Sequence, residues 1–148
     1  MTINQIVCCT DFSTNAEAAF ETALDLAKQY RAKLYVVHVL PPAVNPMLTE
    51  ADLVMPEYPD ENLVVSLNER MQEVYAQRIP DTLDCELVVR DGHVSTEVIR
   101  FIEETDADLV VVGAFGLSGM GLVLFGSVAK RIAHKAPCSV MIVRPKTD

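Results

Sequence analysis

The chain has 148 residues, of which 50% are hydrophobic, and it carries a formal net charge of −9. This length is typical of one domain built around one core, so we predict a single domain over residues 1–148. The acidic balance disfavours nucleic acid and anionic lipid as partners, and no apolar run reaches the roughly eighteen residues of a membrane span.

Short apolar runs rich in β-branched residues predict five strands along the chain. They are Ile6–Thr10, Lys33–Leu40, Cys85–Val89, Leu109–Val112 and Ser139–Val143. Apolar residues at helical spacing predict a helix in each interval between these strands. The helical faces comprise Ala19, Phe20, Ala23, Leu24 and Ala27; Leu67, Met71, Val74 and Tyr75; Val98, Ile99 and Ile102; and Val128, Ile132 and Ala136.

Local signals predict how two of these helices begin or end. Thr14 and Glu17 have the spacing of a capping box at the start of the first helix. Asp11 is an alternative N-terminal cap for the same helix. Pro137 is expected to end the last helix. The proline-rich segment Pro41–Asp60 breaks the alternation, and we interpret it as a long excursion with a helical turn near Thr49–Val54.

The alternation of strands and helices predicts an α/β fold with a doubly wound five-stranded parallel sheet and helices on both faces. Right-handed crossovers favour the strand order 3-2-1-4-5. In that order the first and fourth strands are neighbours, and their connections leave toward opposite faces. A crevice is therefore predicted at their carboxyl ends, where Asp11 and Gly113 stand.

The four cysteines are Cys8, Cys9, Cys85 and Cys138, and they lie in predicted strands or at strand ends without any C-x-x-C pair. We interpret them as reduced core thiols. The first residues also lack the basic and apolar pattern of a secretion signal. Together these features predict a cytoplasmic protein.

Residues 113–128 hold five of the six glycines in the chain. A strand that runs into a glycine-rich loop and then into a helix offers backbone N–H groups and the positive end of a helix dipole to a phosphate. Gly126 permits close approach of the backbone, and Ser127 adds a hydroxyl donor. A purely structural reading, in which the glycines only shape a long turn, is the alternative.

Other phosphate and catalytic motifs fit less well. Gly121 and Gly126 have P-loop spacing, but Ser127 stands where that motif needs lysine. The turn after the first strand lacks the glycines of a Rossmann fingerprint, and the acidic pair of a response-regulator receiver is missing. No metal-ligand spacing and no general acid and base are recognisable, so we do not expect an enzyme.

The spacing G-x-x-G-(nine residues)-G-S/T fits Gly113, Gly116, Gly126 and Ser127, and in this pattern the chain resembles the universal stress protein family. The resemblance extends along the chain, with Thr10-Asp11-Phe12-Ser13 after the first strand and Val37-His38-Val39 in the second. Gly92 and the segment Ala136-Pro137-Cys138 continue it.

That resemblance implies an adenine nucleotide alpha hydrolase-like fold and a stress-response regulator that binds ATP, with AMP or ADP as other ligands and Mg²⁺ accompanying the nucleotide. Asp11 would contact the ribose or the neighbouring backbone, and Thr10 and Val39 would line the adenine pocket. The phosphates would bind Gly113, Gly116, Gly126 and Ser127, with Val112 and Val128 flanking the nucleotide.

The resemblance also implies that slow ATP hydrolysis could accompany binding. The segment Cys138–Val143 is predicted to form an apolar edge strand open to pairing, so we predict a homodimer through it, and the resemblance agrees. Another hypothesis remains open. Phe115 and Leu117 favour a nucleotide-free interaction module that contacts a partner protein through Pro41–Asp60.

Overall fold

A computed structural model describes residues 2–42, 61–115 and 126–146. Gly116, Leu117 and nearly all of the Pro41–Asp60 segment, with its predicted helical turn, lie outside the described residues. The strands are β1 (Gln5–Cys9), β2 (Lys33–Leu40), β3 (Cys85–Asp91), β4 (Leu109–Gly113) and β5 (Ser139–Val143). The helices are α1 (Thr14–Tyr30), α2 (Glu61–Tyr75), α3 (Val94–Thr105) and α4 (Ser127–Lys135), with a 3₁₀ turn at Ala76–Arg78.

The five strands form one parallel sheet with the order β3-β2-β1-β4-β5, as predicted. The predicted bounds of β2 and β5 are confirmed. β1 begins and ends one residue earlier than predicted, whereas β3 and β4 extend further, to Asp91 and Gly113. These differences lie at strand ends, where the apolar pattern fades.

Two cores cover the two faces of the sheet, because successive strand residues point to opposite sides. On the α1/α2 face the buried residues include Ile6, Cys8, Phe20, Leu34, Val36, Met71, Tyr75, Leu109 and Val111. On the α3/α4 face they include Val7, Tyr35, Val37, Val39, Val98, Phe101, Ile102, Val110, Val112, Ala129 and Ile132. The chain is thus doubly wound, and β1 is the central strand, between β2 and β4.

The start of α1 differs from the prediction. Ser13 is the N-cap, and its side chain accepts a hydrogen bond of 3.2 Å from the Ala16 N–H. The predicted Thr14–Glu17 capping box and the Asp11 cap are therefore wrong. Ser13 has the extended backbone that a cap needs, and Glu17 forms an ion pair with Arg78 instead.

The end of α4 agrees with the prediction, since the helix ends at Lys135 and Pro137 follows the capping residue Ala136. Within the described ranges, no helix has the length and apolar composition that crossing a membrane requires.

Candidate functional site

Two connections meet at the carboxyl end of the sheet, one after β1 and one after β4. The two strands pair directly, with Ile6 opposite Leu109 and Cys8 opposite Val111. The β1 connection enters α1, on one face, and the β4 connection enters α4, on the other. This is the point where the winding direction reverses and where parallel α/β sheets bind ligands.

The predicted site residues divide between the two faces of the sheet. Val39 and Val112 are buried in the core of the α3/α4 face, and Val128 packs against the same core. All three lie near the carboxyl end of the sheet. Thr10 points the other way and reaches Tyr75 in the α1/α2 core.

Thr10 is almost fully buried, and its polar groups bond within the protein. Its N–H donates to the Val37 carbonyl at 2.9 Å, and its own carbonyl lies 2.8 Å from His38 Nδ1. Its hydroxyl bonds Tyr75 and accepts from the Phe12 N–H at 3.0 Å. Thr10 therefore holds the loop after β1 in place, and any ligand contact from it would be by packing.

The next two residues form a tight turn. Asp11 Oδ1 accepts a 3.0 Å hydrogen bond from the Ser13 N–H, which closes an Asx turn. Phe12 has a φ of 65°, a left-handed conformation that costs a residue other than glycine about 1 kcal/mol. The Phe12 ring packs 4.9 Å from His38 and lies under Arg70, whose guanidinium is 4.1 Å from the ring centroid.

The two described ends of the glycine-rich connection, Ala114 and Gly126, lie next to each other. Ala114 donates to the Val143 carbonyl at 2.9 Å, and Gly126 donates to the Ala114 carbonyl at 2.6 Å. The base of the connection is therefore closed beside β4. The Gly126 N–H is occupied by this bond, so Gly126 cannot also donate it to a phosphate.

The N-terminus of α4 has backbone donors that no side chain caps within the described part of the chain. Gly126 is its N-cap and offers no side-chain acceptor, and the first turn contains no acidic residue. The N–H groups of residues 127–129 consequently have no partner within the helix. Ser127 is exposed beside them. This arrangement can receive an anion, because the donors and the helix dipole point the same way.

Gly113 has a packing role that its place in a phosphate motif does not reveal. A Cβ at this position would lie 2.9 Å from the Asn15 carbonyl carbon, oxygen and Cβ. Only glycine lets α1 approach β4 this closely. Asn15 Oδ1 is buried there and accepts no hydrogen bond within the described part of the chain.

The sequence did not indicate Tyr75, Asn15 or His38 as site residues. Tyr75 has the spacing of an ordinary core residue of α2, and only the packing of α2 brings it to Thr10, 65 residues away. Gly116, the remaining predicted phosphate contact, lies outside the described ranges.

Metal binding and thiol catalysis find little support among the described residues. Among them, no three His, Cys, Asp or Glu side chains are grouped to hold a metal ion. All four cysteines are free thiols. Burial raises the pKa of Cys9 to about 12 and that of Cys85 to about 11, so both are protonated and poorly nucleophilic at neutral pH.

Known proteins resemble this chain in sequence and in fold. The sequence profile of the universal stress protein family matches residues 2–144. A universal stress protein of Methanocaldococcus jannaschii is 29% identical over 145 residues, which cover 97% of this chain and 84% of that protein.

Solved structures share the fold. The universal stress protein UspA from Lactobacillus plantarum superposes with a TM-score of 0.78 at 22% identity, covering 97% of this chain and 99% of the other. A universal stress protein solved in complex with cAMP has a TM-score of 0.65 at 25% identity, with 97% and 98% of the two chains covered.

Proposed function

This chain belongs to the universal stress protein family, and from that premise we propose that it is a stress-response regulator that binds an adenine nucleotide at the carboxyl ends of β1 and β4. The single observation that carries the proposal is the α4 N-terminus, whose first N–H groups have no partner within the helix and no side-chain cap from Gly126, at the carboxyl end of the sheet. The related structure solved with cAMP supports the choice of an adenine nucleotide.

The predicted contacts other than Gly116 and Gly126 each have a distinct part in this proposal. Val39, Val112 and Val128 pack against the adenine and ribose, and Asp11 accepts from a ribose hydroxyl. The amides of Ser127 and the next two residues receive the phosphate, with the Ser127 hydroxyl as an added donor. Gly113 and Thr10 shape the two connections from the opposite face.

ATP is the nucleotide predicted from the motif, and its affinity depends on how the phosphate charge is balanced. Residues 113–129 contain no Lys or Arg. Loss of one charge-assisted contact weakens binding by about 1.5–3 kcal/mol, or roughly tenfold to a hundredfold. ATP therefore needs accompanying Mg²⁺, and AMP and ADP compete with it. Hydrolysis is incidental in this proposal, since no catalytic base is assigned.

The proposal includes a homodimer through β5 in the cytoplasm. β5 is an edge strand of the sheet, and Met141 on it is 36% exposed. An open apolar edge pairs readily with a second copy of itself. The free thiols are those expected in a reducing compartment.

Replacing Ser127 by Glu tests the anion site directly. A carboxylate in the first turn of α4 favours the helix but repels a phosphate. We expect Ser127→Glu to weaken AMP and ATP binding at least about tenfold, measured by calorimetry with and without Mg²⁺, while the free energy of unfolding stays equal or rises.

Gln29→Glu is the matched control, because it adds the same charge on an exposed residue in the last turn of α1, at the other end of the sheet. It should bind nucleotide as the original chain does. Mass spectrometry of ligand released from freshly purified protein would identify the bound species. If no nucleotide binds or copurifies, the proposal fails and the interaction-module hypothesis is favoured.

A further inference from the structure

The structure assigns Tyr75 a positioning role: through Thr10, its hydroxyl holds the turn that contains Asp11 at the carboxyl end of β1, so α2 controls the proposed nucleotide site from the opposite face of the sheet. The nucleotide part of this inference rests on the proposed function. The positioning part rests on contacts among described residues alone.

The contact between Tyr75 and Thr10 is buried. Tyr75 is 1% exposed and Thr10 is 6% exposed, and their hydroxyls are hydrogen-bonded. Burial raises the pKa of Tyr75, so the phenol keeps its proton at neutral pH. A buried hydroxyl without a partner is costly, and each of these two therefore restricts the rotation of the other.

Thr10 transmits this restriction to the turn. Its Oγ1 also accepts the Phe12 N–H at 3.0 Å. Whichever hydroxyl donates in the Tyr75 bond, that bond keeps Thr10 in the rotamer whose oxygen faces the Phe12 amide. The amide in turn belongs to a residue with a φ of 65°, a conformation that surrounding contacts must maintain.

The Tyr75 ring supports the same turn by packing. It stacks on the Phe12 ring, with the ring centroids 6.1 Å apart, and its centroid lies 4.6 Å from that of the Phe20 ring in α1. Asp11 precedes Phe12 and is bonded to Ser13, so its carboxylate follows any rearrangement of the turn. Tyr75 thus links the end of α2 to the orientation of Asp11.

Tyr75→Phe removes the hydroxyl and keeps the ring. We expect amide hydrogen exchange at Phe12, followed by NMR, to accelerate about fivefold, and AMP binding to weaken about threefold to tenfold. The matched control is Tyr35→Phe. Tyr35 is also buried, and its hydroxyl donates to Gln5 Oε1 at 3.0 Å near the amino end of the sheet. The control should leave Phe12 exchange and AMP affinity unchanged.

A double variant tests the route through Thr10. Thr10→Val removes the acceptor of the Phe12 amide, so Tyr75→Phe should add no further acceleration at Phe12 in that background. The inference is overturned if Tyr75→Phe leaves Phe12 exchange unchanged, if Tyr35→Phe changes it equally, or if the two changes at residues 10 and 75 are additive.

The two proposals fail in distinguishable ways. If the original chain does not bind AMP or any other nucleotide, the proposed function is wrong, and Phe12 exchange alone decides the positioning role. If the chain binds AMP and Tyr75→Phe binds it equally well, the control of the site by α2 is refuted while nucleotide binding stands.

Discussion

Gly113→Ala should destabilise the protein whether or not a nucleotide is present. The added Cβ would lie 2.9 Å from three atoms of Asn15, of which the carbonyl carbon and oxygen belong to the backbone of α1. Relaxed carbon contacts are near 3.5–4.0 Å, and a helix backbone cannot rotate away as a side chain can. Either α1 or β4 must therefore shift.

Overpacking of this kind costs about 1–3 kcal/mol. For a chain of this length, each kcal/mol lowers the melting temperature by about 2–4 °C. Urea denaturation of the nucleotide-free protein gives the free energy of unfolding. We expect this free energy of unfolding to fall by about 1–3 kcal/mol. Its slope against urea concentration should stay the same, because the same surface is exposed on unfolding.

Asn15→Ala provides the internal control. This change removes the amide group of Asn15 but leaves the Cβ, carbonyl carbon and carbonyl oxygen that Gly113→Ala would meet. The loss of stability in the double variant should therefore equal the sum of the losses in the two single variants. Unaltered stability in Gly113→Ala, or full recovery in the double variant, would refute the packing role and leave phosphate binding as the reason for this glycine.

Two further predictions concern the thiols and the sheet edge. The pKa values of Cys9 and Cys85 are raised by burial to about 12 and about 11, whereas an exposed thiol titrates near 8.5. Above that pH the unfolded chain releases protons that the folded chain retains, so stability should fall as pH rises. Under reducing conditions, a Cys9→Ala/Cys85→Ala variant should lose stability less steeply between about pH 8.5 and 10.5, and parallel slopes would contradict this cause. Separately, Met141→Lys should shift the sedimentation of a dimer toward the monomer, while Val65→Lys, on an exposed part of α2, should not; dissociation in both variants, or in neither, would argue against pairing through β5.

The order of the strands and the point between β1 and β4 where the winding reverses were predictable because their signals are local. Each strand is a short apolar run, and each helix has an apolar face that a short window of sequence reveals. Right-handed crossovers then leave few strand orders. The motif at Gly113, Gly126 and Ser127 pointed to the β4 connection for the same reason, since its spacing is read along one segment.

Caps and contacts at the site were less predictable because neighbouring residues compete for the same role. Thr14 and Ser13 are both good N-caps in isolation, and the backbone conformation of Ser13 decided between them. Gly113 matched a phosphate motif, yet its closest constraint is the backbone of α1.

By itself, the sequence determined the α/β class, the doubly wound order and the family of this protein, because periodicity and motif spacing are properties of neighbouring residues. Tertiary structure alone decided that Tyr75 meets Thr10 across 65 residues and that the predicted contacts divide between the two faces of the sheet. Such contacts arise when helices pack on a pleated sheet, where strand alternation and the approach of each helix, and not distance along the chain, select the partners.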